Sequence, residues 1–487
     1  MDLNIRSHIK VLGMLFVIVG LSLVVPTIVA FIYKENSSIF AFLLTLAPSL
    51  LLGIALMQIK VPADTSFRAR DGYIIVIESW LLASILGAIP FVIAGFIPNY
   101  FDAFFETASG FTTTGASILT NIEGLSMSML FWRSFTHWVG GMGIIVLAVA
   151  ILPALGMGSH FIISAESTGP KLTKVMPKIK DTAKVLYTLY IGTTILETIL
   201  LLSAGLSLFD ALTHAFATVG TGGFSTYNDG LSHFDSAYVD GIVTVFMLIC
   251  GASFSLHFTA FTRGLKVYLK DSEFKGYLVI VSVTTIILTA YLFFFGTYET
   301  VGSSFRYSIF QIASIITTTG FATADFIYWP LFAQFILFLL FFVGACSSST
   351  AGGIKIIRII VLFKFIKRTI ILKLHPNHVA SVKLGGKTMS NDTVSNIISL
   401  VLLYFACLFI GTILVSIDGY DLATTFSAVA SSLGNIGPGF NDVGPMLNYS
   451  GFSNFSKTIL ALMMIAGRLE FYTFFMLVSR KFWNPYR

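Results

Sequence analysis

The chain has 487 residues, of which 55% are hydrophobic and only 11% charged, and its mean hydropathy is +0.86. A soluble globular protein carries about 25% charged residues, so this chain lacks the polar surface to cover a water-facing sphere, and it is far too apolar for a disordered one. The formal charge of +6 is small, and its placement is more informative than its size.

A bilayer core takes roughly 20 apolar residues per helix. Such runs occur ten times, at 11–33, 39–59, 72–96, 127–153, 183–206, 238–262, 277–297, 331–362, 394–417 and 456–480. The first follows Arg6 and Lys10 as a signal peptide would, but it is too long and lacks a small-residue cleavage site, so it is expected to be retained. Basic residues sort by side. Even-side loops and the termini hold 25 of the 30 Lys and Arg, including Lys60, Lys171, Lys266, Lys364 and Arg480, against Lys34, Arg306 and Lys457 opposite. Both termini are therefore expected in the cytoplasm. The outer loops instead carry Asp102, Glu106, Glu123, Asp210, Asp229, Asp235, Glu299, Asp325, Asp418, Asp421 and Asp442. An acidic outer mouth would concentrate cations, although acids there also simply escape the positive-inside bias.

Those outer loops are too long and too apolar for plain connections. The first, FDAFFETASGFTTTGAS (Phe101 to Ser117), aligns without gaps at an offset of 108 with FDALTHAFATVGTGGFS (Phe209 to Ser225). In the third, SIITTTGFAT sets Thr317, Thr318, Thr319 and Gly320 on Thr112, Thr113, Thr114 and Gly115 at an offset of 205. The fourth, SSLGNIGPGF, diverges: Gly434 or Gly437 is the partner, and Asn435-Ile436-Gly437 is preferred as a polar-apolar-Gly strand.

The chain thus reads as an all-α integral membrane protein: two N-terminal spans, then four parallel copies of span–half-helix–Gly loop–span. The expected boundaries are 1–62 for the two-span domain and 63–160, 161–270, 271–375 and 376–487 for the repeats. Each copy crosses twice, so all keep one orientation and can surround an axis along the membrane normal. Non-helical backbone at membrane depth is tolerated only where protein buries it or a wet cavity receives it, so four re-entrant loops imply a pseudo-fourfold pore. Gly permits the φ > 0 that aims carbonyls at one axis, and Thr adds a hydroxyl and a stiff backbone. Neutral oxygens suit a weakly hydrated monovalent cation, whereas calcium and magnesium sites use carboxylates. A lone Gly/Thr loop would more simply serve helix packing. Four in register do not.

These four loops, with HWVGGMGIIVLAVAILPALGMG and the final AGRLEFYT, resemble the TrkH family, the potassium-translocating subunits of bacterial Trk systems within the Trk/Ktr/HKT superfamily. The resemblance spans nearly the whole chain, including the two extra N-terminal spans. It implies K+ uptake across a bacterial cytoplasmic (inner) membrane, with filter glycines Gly115, Gly223, Gly320 and Gly437. The filter would comprise Thr112–Gly115, Val219, Gly220, Thr221, Gly222, Gly223, Thr317–Gly320 and Asn435–Gly437. Potassium would meet Thr113, Thr114, Val219, Thr221, Gly222, Thr318, Thr319, Asn435 and Ile436. It also implies a homodimer with one pore per subunit and a cytosolic, nucleotide-binding TrkA-like partner. No covalent cofactor is expected beside the transported ion. A Na+-permeable, K+/Na+ or H+-coupled relative, or a non-conducting scaffold or sensor, are the competing readings; Gly115, where some sodium-permeable relatives have Ser, favours K+.

The run 331–362 is interrupted by GACSSSTAGG (Gly344 to Gly353), poor helix formers at membrane depth. It looks like the family's intramembrane gating loop, with Ser347, Ser348, Ser349, Thr350 and Gly352 in it and Lys355 and Arg358 following; the alternative is a packed kink. Arg468 lies inside the last span, where a charge is expensive. The family's matching Arg sets a barrier below the filter; the alternative is an ion pair with Glu470 or Glu197. Arg133 and His137 share a helix face, and His137, like His214, reads as packing. The basic segment 363–392 suits anionic headgroups or a regulator equally. Cys250, Cys346 and Cys407 stand singly in apolar stretches without zinc spacing. Neither a P-loop, a dinucleotide fingerprint, GxSxG nor HExxH is present, so no enzyme and no nucleic-acid binding is expected.

Overall fold

The computed structural model describes residues 5–61, 69–143, 179–378, 380–469, 474 and 476. Glu470, the part of the HWVGGMGIIVLAVAILPALGMG motif beyond Gly143, and several basic residues (Arg68, Lys171, Lys174, Lys178, Arg480, Lys481, Arg487) lie outside them.

The N-terminal unit is α1 (Ile5–Ser22), α2 (Val24–Ile32) and α3 (Asn36–Met57). Gly13 and Gly53 let α1 and α3 touch backbone to backbone: a Cβ on either would come within 2.8 Å of the other's carbonyl oxygen. The four repeats follow in order. They are α4 (Ala69–Ile93), α5 (Tyr100–Phe111) and α6 (Met127–Gly141), then α7 (Ile179–Ser203), α8 (Leu208–Gly220), α9 (Ala237–Gly251) and α10 (Phe254–Arg263). The third has α11 (Ser272–Phe294), α12 (Val301–Ile316), α13 (Leu331–Leu340) and α14 (Ile356–Leu374); the fourth has α15 (Asn391–Val415), α16 (Leu422–Gly434) and α17 (Asn454–Arg468). A two-residue Gly385-Gly386 turn joins β1 (Lys383–Leu384) to β2 (Lys387–Thr388).

Six helical segments among the described residues are long and apolar enough to span a membrane, and a seventh is counted if α9 and α10 form one bent span. The other three expected spans are accounted for differently. Continuous description of the first repeat's second span ends at Gly143 and of the last span at Leu469, and the run 331–362 is split by a non-helical segment. Large apolar side chains face outward, such as Leu51 on α3, Ile286 on α11 and Ile413 on α15, while many Thr and Ser and several charged side chains, among them Glu106, Arg133, Glu197 and Lys355, are buried. The polarity is that of a lipid-solvated protein.

The short helices α5, α8, α12 and α16 form the hub. Each packs on the preceding span of its own repeat, and α6, α9 and α17 pack on the next repeat's short helix, α17 returning to α5. Between repeats 3 and 4, Phe338 meets Phe426 at 5.9 Å. Four repeats therefore close around one axis. All four short helices are capped by a polar side chain at the residue before them, from Asn99, Ser207, Thr300 and Asp421. Glu35 caps α6 from a distance, accepting Met127 N–H at 2.7 Å and Ser128 N–H at 3.1 Å.

Asp421 is the one charged cap among these four. The Thr424 side chain, with Asn441 and the Thr424 and Ala423 amides, holds its carboxyl below the usual range. A depressed folded value stabilises above the unfolded pKa, about 3.9, and the benefit is lost as pH falls through the folded value. Asp421→Ala is expected to cost about 1 kcal/mol in detergent thermal unfolding at pH 7. That difference should narrow below about pH 4.

Candidate functional site

Each of the four short helices ends in the same way. The residue two positions before the loop glycine sits in the left-handed region: Thr113 (φ 56°), Thr221 (55°), Thr318 (53°) and Asn435 (54°). The next N–H returns to the helix, as Thr114 to Ser109 O (2.9 Å), Gly222 to Ala217 O (2.8 Å), Thr319 to Ser314 O (2.8 Å) and Ile436 to Ser431 O (3.0 Å). This is a Schellman ending repeated four times. Three of the left-handed residues are threonines, which as β-branched residues pay about 1–2 kcal/mol there. Left-handed threonines persist only where surrounding bonds over-determine them.

Two residues on, Gly115 (φ 83°), Gly223 (79°), Gly320 (82°) and Gly437 (104°) again take positive φ. The counterpart of Gly115 is thus Gly437, while Gly434 is the last residue of α16. The glycines make a closed ring. A Cβ on Gly115 would strike Gly222 O, one on Gly223 would strike Thr319 O, one on Gly320 Ile436 O, and one on Gly437 Thr114 O. Each glycine therefore abuts the carbonyl that precedes the next loop's glycine, and the fourth returns to the first. Beneath this ring, Thr113 Oγ1 and Asn435 Oδ1 are buried oxygens without a hydrogen-bond partner. Val219 and Gly220, by contrast, are the last residues of α8.

Above the ring lies a cavity of about 120 Å³, lined by the four glycines and the chain just after them. No carboxylate is among its lining residues, and several of the acids expected at the mouth are bound to protein groups. Asp102 pairs with Lys457 (2.7 Å), Asp210 accepts from Ser207 and Thr226, and Asp418 and Asp421 accept backbone N–H groups. Glu106 is 1% exposed and pairs with Arg133 (2% exposed) at 2.8 Å, also accepting from Ser117 Oγ and Ile118 N–H. Arg133 reaches Ser225 O at 3.1 Å and stacks over Phe224. It therefore ties repeat 1 to repeat 2.

Positions equivalent to Glu106 are His214 and Gln311, at the same offsets of 108 and 205. His214 Nε2 meets Ser225 Oγ at 3.0 Å, and the Gln311 amide faces the backbone of Thr323 and Ala324. Three different side chains thus hold the strand that leaves the ring. His137 spans repeats too, with Nδ1 on Gly110 O (2.7 Å) and Nε2 accepting Phe224 N–H (3.2 Å). Both histidines are packing residues.

On the side away from the cavity, residues 341–355 fold beneath the ring. Gly344 N–H bonds Ile354 O (2.6 Å), which closes the base of the segment. Gly352 N–H donates to Thr318 Oγ1 at 2.7 Å, and a Cβ on Gly352 would come within 2.6 Å of Gly434 O. Ser348 (φ 57°) and Gly353 (φ 67°) turn the chain, and Ser349 Oγ donates to Cys346 O. Lys355, 1% exposed, donates to Ala351 O and reaches Ser349 Oγ at 3.4 Å. Arg468 donates to Thr350 O (2.7 Å), Gly140 O (3.0 Å) and Gly141 O (3.1 Å). Glu197 is not its partner; it lies beside Thr218 and Cys250.

The segment 341–355 is not the single interruption the sequence suggested. Between α9 and α10 the chain bends by 92° at Gly251–Ser253. The freed groups bind the segment: Cys346 N–H donates to Gly251 O (3.0 Å) and Phe254 N–H to Ser348 O (3.1 Å). The small residues Gly251-Ala252-Ser253 were the available signal.

A model of the TrkH family, described as cation transport protein, matches residues 38–484. The chain belongs to the TrkH family. The Trk system potassium uptake protein TrkH of Escherichia coli K12 is 36% identical over 99% of this chain and 100% of that protein. The same-named protein of Vibrio parahaemolyticus is 37% identical, again over 99% and 100%. The crystal structure of the potassium transporter TrkH from Vibrio parahaemolyticus superposes with a TM-score of 0.89 at 34% identity, over 99% of this chain and 100% of that one. The TrkH-type architecture therefore extends along the whole chain, and the protein is a multi-pass membrane protein.

Removing one partner of a buried ion pair leaves an uncompensated charge. Arg133→Ala is expected to cost about 3–5 kcal/mol in thermal unfolding, with a smaller loss for the double variant Arg133→Ala/Glu106→Ala.

Proposed function

We propose that the protein carries K+ inward across a bacterial cytoplasmic membrane, with both termini in the cytoplasm and the cavity face outward. The ring in which each of Gly115, Gly223, Gly320 and Gly437 abuts its neighbour's carbonyl carries this reading. A dehydrated cation on that axis would meet backbone and side-chain oxygens and no carboxylate, which suits a weakly hydrated monovalent ion. The buried, unpartnered Thr113 Oγ1 and Asn435 Oδ1 are oxygens with capacity left for such an ion. The relatives named as potassium uptake proteins favour K+. Residues 344–353 act as the gate, because they contact Thr318 from beneath the ring. Arg468 places a positive charge beside the gate and raises the barrier to cations. The chain divides into the two-span unit and four repeats at the boundaries read from sequence. It works as a homodimer with a TrkA-like cytosolic partner; the relatives' Trk-system names support a multi-component assembly.

The test is uptake of radiolabelled Rb+ into liposomes holding the purified protein, with K+ or Na+ as competitor. Uptake should be blocked by K+ and not by Na+, and Gly223→Ser should change that preference because its side chain displaces Thr319 O. Equal competition by both ions would favour a K+/Na+ carrier. No uptake, with or without a cytosolic partner, would favour a non-conducting scaffold. Arg468→Ala should raise flux without changing ion preference. Unchanged flux in a normally folded variant would remove Arg468 from the barrier.

A further inference from the structure

The segment beneath the ring is held by several single bonds and by one carboxylate that grips it twice. Glu273, in the first turn of α11 and 7% exposed, turns its side chain away from its own helix. Oε1 accepts Ser347 N–H at 2.8 Å and Ile357 N–H at 3.2 Å, and Oε2 accepts Ser347 Oγ–H at 2.6 Å. Ser347 lies on the descending shoulder of the segment and Ile357 just beyond its ascending one. One anion thereby pins both shoulders together against α11. The buried Lys355 ammonium lies within electrostatic range of the same carboxylate.

We propose that Glu273 is the latch of the intramembrane segment, a positioning residue whose bonds to Ser347 and Ile357 must break before the segment can leave the axis. The inference rests on the reading of residues 344–353 as the gate. Chemistry singles out Glu273 among the contacts. Bonds from Cys346 to Gly251, from Phe254 to Ser348 and from Gly352 to Thr318 are neutral and single. Those to Glu273 are charge-assisted, roughly twice as strong as neutral ones, and they act on both ends at once. Arg468 meets the segment at Thr350 O. An amide in place of the carboxylate keeps the volume and can leave its carbonyl oxygen facing both backbone N–H groups, but it loses the charge and sets an NH2 where Ser347 Oγ–H needs an acceptor.

The experiment compares full-length wild type with Glu273→Gln, Ser347→Ala, the double variant and Glu273→Asp, by Rb+ flux in liposomes and single-channel recording in bilayers. Glu273→Gln should raise flux and open probability about fivefold to tenfold, with unitary conductance and K+/Na+ preference unchanged. Ser347→Ala should give a smaller rise, and the double variant should not exceed Glu273→Gln, since the two share a bond. Glu273→Asp should fall nearer wild type. A changed conductance or preference, or a fall in flux with loss of thermal stability in both Glu273→Gln and the milder Ser347→Ala, would overturn the latch and leave a purely structural role. A variant lacking residues 347–351 separates the two readings. If that deletion raises flux while Glu273→Gln does not, the latch is wrong and the gate stands. If neither raises flux, both fall.

Discussion

The fold depends on a close approach that no side chain could survive. Four carbonyl oxygens lie where the Cβ atoms of Gly115, Gly223, Gly320 and Gly437 would be. The contact is cyclic, so its geometry can be satisfied only when all four repeats are in place together. The left-handed Thr113, Thr221, Thr318 and Asn435 serve the same end, because they turn the chain out of each short helix towards the axis. The Schellman bonds return the helix carbonyls their partners and bear the steric cost of that turn.

Around this nearly symmetric ring the supports are not symmetric. Glu106, His214 and Gln311 occupy one repeat position and hold the departing strand with a carboxylate, an imidazole and an amide. Only the first brings an ion pair, and Arg133 uses it to reach into repeat 2. Between repeats 4 and 1, Asn435 Nδ2 donates to Thr114 Oγ1 at 3.0 Å instead. A backbone motif is shared by all four repeats, while each junction between them is built from different chemistry.

Sequence reasoning reached what local composition writes down. Long apolar runs predicted the spans, and the gapless offset between the Phe101 and Phe209 segments predicted the repeats. The fourth loop stayed open because Gly434 and Gly437 both fit the pattern, and only backbone conformation separates them. Loop charges predicted a sidedness but carried no information on partnerships. Glu106 counted as one more outer acid, since nothing local says that Arg133 faces it. The break after Gly251 was hidden because Gly-Ala-Ser inside an apolar run equally serves ordinary helix packing. Glu273 was invisible for a related reason, its partners lying 74 and 84 residues away.

Among the described residues, a segment folded beneath the ring occurs in the third repeat, at 341–355, with a shorter break at Gly251–Ser253 in the second. A tetramer of identical subunits would carry any such insertion four times, and its axis would clear only when enough copies moved in concert. With all four repeats in one chain and residues 344–353 as the proposed gate, a single quadrant closes the axis while the other repeats hold the ring. On the proposed reading, opening is then one event per pore, without cooperativity among quadrants, and a mutation in that quadrant acts at full strength with no wild-type copies to dilute it.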